Sequence, residues 1–380
     1  MAVSKGHRQK NSRRGSGIWW VGLVVSLAAA LTAYSTAYAS VGQGELRDLY
    51  TSAEAQGMGN AFTAIVDDDE SLYYNPAGLA GVKTPKLTYL DLQAETASSI
   101  ITSASSTANS LKTINSNTLN TFIGKDIYGR ASLTPSLVLP GFGIGLLVDQ
   151  QVAFYAENQA LPAVTLGYQT TNGVKVGYGH SFFLGGSKKN AGKDEIRVGI
   201  GGELLFRRGG YYSLSESQIL NIGTSEYHSI VGGFGEGVGA DIGMQYIRHQ
   251  NKRLSLMAGF AWESIGGVGF NNSTAQTQPG DLSIGVGARY ELPGLRLTLA
   301  YDMKHLDQST DMRMRQHFGA ELKIPLVAFS LGINEVSYTA GATVDVWLAK
   351  VSLVTYAEEL AYEADLATER RYLLRIAFSL

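Results

Sequence analysis

Between Gly57 and Gly81 the chain carries four consecutive acids, Asp67 to Glu70, bracketed by Gly57-Met58-Gly59 and Asn75-Pro76-Ala77-Gly78. Four carboxylates in a row can pair with cationic side chains or cap and solvate a helix start, and the residues alone leave both readings open. The glycines allow tight turns and close approach of backbone to a wall. Asn75-Pro76 favours turn initiation, and Ala77-Gly78 adds no bulk. Catalytic or metal chemistry is harder to assemble. The six histidines, His7, His180, His228, His249, His305 and His317, are scattered, none has the spacing of a helical metal pair, and cysteine is absent. In His180-Ser181 and His228-Ser229 neighbouring strand residues point to opposite faces, so neither makes its own Ser–His hydrogen bond, and no G-x-S-x-G elbow occurs. Gly232 to Gly237 contains a GxG but no following strand-to-helix unit to hold a phosphate. No catalytic residue, cofactor or metal is therefore expected. A barrel hydrolase using Ser181 or Ser229 stands only as a rival.

The elements that must position the acidic stretch are strands. Ile196, Val198, Ile200, Leu204 and Phe206 alternate with Arg197, Glu203 and Arg207, a period of two. Leu295, Leu297, Leu299 and Tyr301 alternate in the same way with Arg296, Thr298, Ala300 and Asp302. Met312, Met314, Phe318 and Leu322 oppose Arg313, Arg315, His317, Glu321 and Lys323; Val344, Val346 and Leu348 oppose Thr343 and Asp345. The last run sets Tyr372, Leu374, Ile376, Phe378 and Leu380 against Arg371, Arg375 and Ser379. These runs are about 9 to 13 residues long, enough for a tilted strand to cross a bilayer, which takes roughly 9 to 11. Further candidates are Pro85–Glu95, Tyr128–Leu139, Phe142–Tyr155, Leu161–Thr170, Gly173–Leu184, Val238–His249, Lys252–Glu263, Gly280–Glu291, Leu326–Val336 and Lys350–Glu359. Fourteen or fifteen segments result, and the even count of bacterial barrels selects about fourteen.

The expected fold is all-β: a transmembrane antiparallel β-barrel over 84–380, apolar side chains to lipid and charged ones to the lumen. Pro140-Gly141, Thr171-Asn172, Gln250-Asn251 and Leu292-Pro293 read as tight turns on one side. Thr96–Lys125, with short helices within Ser103–Leu119, and Gly209–Gly237 and Gly266–Pro279 read as long loops on the other, where recognition residues can sit.

Composition agrees. Glycine, at 45 of 380 residues, is well above the roughly 7% of average proteins. Lys5, Arg8, Lys10, Arg13 and Arg14 precede an apolar run from Ile18 to Ala33 and the small-residue site Ala37-Tyr38-Ala39, the order of a secretory signal peptide over 1–39. Its removal leaves 26 basic residues against 33 acidic, a net charge of −7, which excludes a basic nucleic-acid footprint.

Residues 40–83 do not alternate, yet Ala61-Phe62-Thr63-Ala64-Ile65-Val66 and Leu72-Tyr73-Tyr74 are too apolar to leave in water. They read as a plug in the lumen; a first strand with a periplasmic tail is the other reading. Gly57-Met58-Gly59, Ala61-Phe62, Asp67-Asp68 and Asn75-Pro76-Ala77-Gly78-Leu79 resemble the N-terminal hatch of FadL-type outer-membrane transporters of hydrophobic compounds, a signature shared by PorV/PorQ-like barrels.

The resemblance implies passive uptake of hydrophobic or long-chain fatty-acid-like compounds across the outer membrane of a Gram-negative bacterium. It implies lipid, an apolar small molecule and the outer-membrane assembly machinery as partners. A ligand would land on loop apolars such as Phe234, Phe270, Ile219 and Leu220, enter an apolar pocket, and leave after a hatch movement, sideways through a wall kink. Phe378-Ser379-Leu380 resembles an outer-membrane assembly signal, though Leu380 departs from the usual aromatic ending. The alternative is a PorV-like barrel that binds partner proteins in secretion or surface attachment. The hatch residues singled out are Gly57, Gly59, Phe62, Asp67, Asp68, Asn75, Pro76, Ala77 and Gly78. The lumen charges are Arg197, Glu203, Arg207, Arg313, Arg315 and Glu321, with Arg197, Arg207, Arg313 and Arg315 as candidate partners of the acids.

Overall fold

The computed structural model describes residues 48–102, 126–157, 163–184, 194–215, 232–272, 274–360, 364 and 368–380. The signal peptide expected over 1–39, residues 40–47, the helices expected within Ser103–Leu119, Ile219, Leu220 and His228-Ser229 lie outside the described residues.

Strands β1 (Lys86–Ala97), β2 (Asp126–Leu133), β3 (Ser136–Leu139), β4 (Phe142–Glu157), β5 (Ala163–Leu184), β6 (Asp194–Ser215), β7 (Gly235–His249) and β8 (Leu254–Glu263) make the first half of one antiparallel sheet. It continues through β9 (Asp281–Leu292), β10 (Leu295–Met303), β11 (Gln316–Ile324), β12 (Val327–Asn334), β13 (Ser337–Val346), β14 (Ala349–Glu359) and β15 (Thr368–Ser379). From β4 onward each strand pairs with its sequence neighbour, and β15 returns to β1, so the sheet closes without an edge. Backbone bonds between Leu87 and Leu380 in both directions extend that seam. β2 and β3 both lie between β1 and β4 and are one strand interrupted at Thr134-Pro135, where proline lacks the donor a ladder needs. The result is a barrel of 14 strands with one extra strand element.

The surplus candidate segment disappears at Thr171-Asn172, which is no turn. Leu161–Thr170 and Gly173–Leu184 merge into β5, 22 residues long, because β4 and the equally long β6 flank it continuously. Asn172 pairs with Val148 on one side and Phe206 on the other. Asn-Gly turns a chain only when its two flanks pair with each other. Two smaller differences occur. The turn after β9 is Pro293-Gly294, with Gly294 at φ +76°. Met312–Arg315 is a 3-10 turn capped by Asp311, so the strand starts only at Gln316.

Faces follow the alternation. Ile200, Leu299, Phe329, Leu331, Leu353, Tyr372 and Leu374 are exposed on the outside, while Arg197, Glu203, Arg207, Arg371 and Arg375 are buried on the inside. An apolar exterior over a polar bore is the arrangement a bilayer demands.

The apolar core belongs mainly to the plug. After Tyr50 come helix α1 (Ala53–Gly57), helix α2 (Ser71–Tyr74) and a 3-10 turn (Pro76–Gly81), all inside the lumen. Ser52 caps α1 by accepting from the Glu54 and Ala55 N–H groups; Asn75 caps the 3-10 turn through Ala77 N–H, with Pro76 at its first position. Met58, Phe62, Ile65, Val66, Leu72, Tyr73, Tyr74 and Leu79 are buried together and meet only a few wall apolars, Val138, Ile247, Met257 and Ala300. Each such side chain contributes about 1.5–3 kcal/mol when removed from water. The plug is thus the barrel's hydrophobic core, inverted relative to a soluble sandwich.

Candidate functional site: the hatch and its seat

The wall facing the plug is built of small residues. A Cβ on Gly199 would lie 2.2 Å from the Ala77 nitrogen, one on Gly243 2.0 Å from Asn75 Oδ1, one on Gly259 2.6 Å from the Ala64 Cα, and one on Gly319 2.3 Å from the Met58 carbonyl oxygen. Gly287, Ala300, Gly319 and Gly332 stand in direct cross-strand register, as do Gly179, Gly199 and Gly243. Much of the chain's glycine excess is therefore a belt on which hatch backbone rests. The hatch glycines complement it. Gly59 has φ +63°, and any Cβ there would strike the carbonyl oxygens of Phe318 and Ile333 at 2.4 Å, so only glycine fits.

Polar side chains of the wall capture the hatch backbone. The Thr339 hydroxyl accepts from Gly59 N–H and donates to Gly57 C=O, both at 3.0 Å. The ring Nδ1 of His317 donates to Gly59 C=O at 3.0 Å, and one oxygen of Asp302 accepts from both Phe62 and Thr63 N–H at 2.7 Å. Asn75 Nδ2 donates to Thr63 C=O (2.9 Å) within the hatch and to Phe260 C=O (3.2 Å) on the wall. Arg130, paired with Asp149 at 2.7 Å, donates to Thr51 and to the Asp48 and Leu49 carbonyls.

The acids are paired, but not with the expected partners. Asp67 binds Arg289, which also donates to Ile65 C=O at 2.9 Å. Asp69 binds Lys86 at 2.8 Å and accepts from Thr88 at 3.0 Å. Glu70 binds Arg375 and Ser52, and Arg375 is held bidentately by Asp91 at 2.7 and 2.8 Å. Glu54 is clamped by Lys350, whose charge overrides the burial that would raise the carboxyl and brings it down to about 2. Asp68 alone of the four has no ion pair among the described contacts; it accepts from Glu70 N–H at 3.1 Å.

None of the four candidate arginines touches the acids. Arg197 pairs with Glu195 at 2.8 Å and packs against Gly81. Arg207 is fully buried and has no carboxylate partner among the described residues, donating to Thr171 Oγ1 (2.9 Å), Gln276 C=O (3.2 Å) and Gln278 Oε1 (2.6 Å), with Phe270 under its guanidinium at 5.0 Å. It anchors the loop after β8. Arg313 is exposed on the 3-10 turn and is not a lumen charge. Arg315 ties that turn down through the Gln308 and Thr310 carbonyls. Glu203 meets Lys175 at 3.3 Å and Ser264 Oγ at 2.5 Å, and Glu321 is half-buried on the inner face of β11. Phe234 lies under Arg208 at 4.7 Å.

The charged contacts give opposite pH signs. Burial would raise Asp67 and Asp69, but Arg289 and Lys86 override it and hold both below the ordinary carboxylate range. Burial, with Asp69 and Glu70 beside it, pushes Asp68 well above that range. The stability that Asp67 and Asp69 contribute is present above about pH 4 and lost as pH falls through their depressed folded values. Asp68 behaves in reverse, its contribution complete when protonated and lost as pH rises through its folded value. Asp67→Asn is therefore expected to lower hydrogen-exchange protection of residues 57–82 at neutral pH, by about 1 kcal/mol for a part-exposed pair. Asp68→Asn is expected to leave protection unchanged near pH 4 and raise it at neutral pH. Equal effects of the two replacements across pH would contradict the assignment.

Above the hatch, at the long-loop end, a cavity of about 40 Å³ is bordered by Tyr50, Tyr73, Tyr74, Lys175, Glu263, Asp281, Lys304 and His305. It is aromatic and charged rather than apolar, a departure from the pocket the resemblance implies. The wall at Thr134-Pro135 also stays bonded on both flanks, Thr134 N–H to Asp91 C=O at 3.0 Å and Leu146 N–H to Pro135 C=O at 2.9 Å.

Fold and seat together define a class: a closed transmembrane β-barrel whose own N-terminal segment is the plug. Among solved structures, the fold is similar to a mutant of the monoaromatic hydrocarbon channel TodX, with a TM-score of 0.50, 11% identity, and 88% of this chain and 99% of that one covered. The Ralstonia pickettii toluene transporter TbuX (TM-score 0.45, 11% identity, 89% and 99% covered) and a Pseudomonas aeruginosa FadL homologue (0.31, 13%, 87% and 97%) also align. At such identity the likeness is one of fold. By sequence, the chain matches no protein-family model and no curated protein.

Proposed function

We propose that this protein is an outer-membrane channel for passive uptake of hydrophobic or fatty-acid-like compounds, exported through a signal peptide cleaved after Ala39 and inserted by the outer-membrane assembly machinery. The observation that carries the reading is the manner in which the plug is held. Reversible ion pairs and single hydrogen bonds on a glycine belt fix it, and among the described residues no strand of the hatch is woven into the sheet. A plug seated this way can shift and reseat without unfolding the barrel. The driving force is transfer of apolar ligand surface out of water, about 25 cal/mol per Å².

The absence of cysteine makes a clean test possible. A Cβ on Gly57 would lie 3.3 Å from Ser330 Cβ, close to the roughly 3.5–4.5 Å a disulfide spans. In the double variant Gly57→Cys, Ser330→Cys, oxidation is expected to abolish uptake of labelled dodecanoate into a deletion strain and reduction to restore it. Undiminished uptake with the hatch locked would defeat the proposal of hatch movement. A wild-type protein that takes up no apolar compound and co-purifies with secretion components would belong to the PorV-like reading.

A further inference from the structure

We propose that the cavity above the hatch binds an organic cation, the protonated amine head of an amphipathic ligand, an inference that rests on the uptake reading and narrows its substrate class.

The argument starts from two carboxylates. Glu263 ends β8 and faces Asp281 directly across the ladder with β9, and like charges placed opposite one another destabilise a sheet. Asp281 is answered, by Lys304 at 3.5 Å and by His305 Nδ1 at 3.2 Å. Among the described residues Glu263 has neither an ion-pair nor a hydrogen-bond partner. The other cation at the cavity, Lys175, is already engaged by Glu203 at 3.3 Å and Asp241 at 3.1 Å.

His305 borders the same cavity and is 1% exposed; its Nδ1 faces Asp281 Oδ1 at 3.2 Å, and its buried Nε2 has no hydrogen-bond partner. The carboxylate left unanswered on this cavity is that of Glu263. A carboxylate ligand or a bare hydrocarbon leaves it so, whereas an ammonium answers it.

The remaining wall suits an organic cation. Tyr50 stacks on Tyr73 with centroids 4.1 Å apart and meets Tyr74 edge-on at 6.1 Å. Lys304 Nζ already sits 5.2 Å over the Tyr74 ring, so this surface accommodates a cation against its π face. Among the described residues no group of three or more metal-type ligands exists, which leaves a metal ion without a coordination set. At about 40 Å³ the cavity takes a head group and not a tail; the tail would extend toward the loops.

The test uses the full chain, purified in non-ionic detergent, titrated calorimetrically near neutral pH with n-octylamine, octanoate and 1-octanol. Octylamine is expected to bind at least about tenfold more tightly than octanoate, and Glu263→Gln to weaken octylamine at least about tenfold while leaving octanol unchanged. Glu263→Asp, which keeps the charge, is expected to retain most of the preference. Octanoate binding as tightly as octylamine in the wild type, or octylamine binding unaffected by Glu263→Gln in a variant that keeps its heat-dependent gel shift, overturns the inference. Octanoate and octanol bound and taken up without octylamine would overturn this inference alone. If none of the three is bound or taken up, the uptake reading falls with it.

Discussion

Arg375→Met is expected to unseat the hatch while leaving the barrel closed. Arg375 is 2% exposed and is the common partner of Glu70 on the plug and Asp91 on β1, both also buried. Removing the guanidinium leaves two carboxylates in the lumen with no cation to answer them. Breaking a buried pair in this way costs about 3–5 kcal/mol, more than the pair's net contribution, because the orphaned charge remains. The cost falls on the plug, since the strand pairs of β15 with β14 and β1 do not involve the side chain. In planar bilayers the variant is expected to show larger and noisier conductance than wild type, with hydrogen-exchange protection of residues 57–82 lost. Arg375→Lys, which keeps the charge but loses the bidentate fork, is expected to fall between the two. Wild-type conductance and protection in Arg375→Met would show that the clamp does not hold the hatch.

Gly199→Val is expected to displace the plug by shape alone. The new Cβ would stand 2.2 Å from both the Ala77 nitrogen and the Pro76 carbonyl carbon. Those atoms are backbone in a capped turn and cannot swing aside as a flexible side chain does. Overpacking a core usually costs about 1–3 kcal/mol even where side chains adjust, so this replacement belongs at or above the upper end. Gly129→Val is the matched control, because a Cβ at Gly129 meets nothing within 4 Å. Both variants should retain the heat-dependent gel shift of a folded barrel; only Gly199→Val should expose the hatch to proteinase K. Equal protection in the two would remove the glycine belt as the seat.

The architecture could be read from local pattern because the signal is local. Alternation along Leu295 to Asp302 or Tyr372 to Leu380 assigns each side chain to lipid or lumen without knowledge of its partner. Closing the sheet required only that such runs be numerous. The hatch was legible for a similar reason: an apolar, glycine-punctuated segment that does not alternate has to be covered by something else. Asp302, His317 and Arg375 also fell on the inward faces, yet nothing in their spacing marked them as the residues that grip the plug.

By itself, then, the sequence determined the barrel, its inside and outside, and the segment that fills it, since a period of two and a run of buried apolars are properties of neighbouring residues. Only the tertiary structure decided that Asp67 meets Arg289, 222 residues away, that Glu70 meets Arg375, 305 away, and that Asn172 continues a strand where a turn was expected. Those outcomes depend on closure and register, which set the level around the ring at which each inward side chain stands. A shift of one residue would turn every one of them outward.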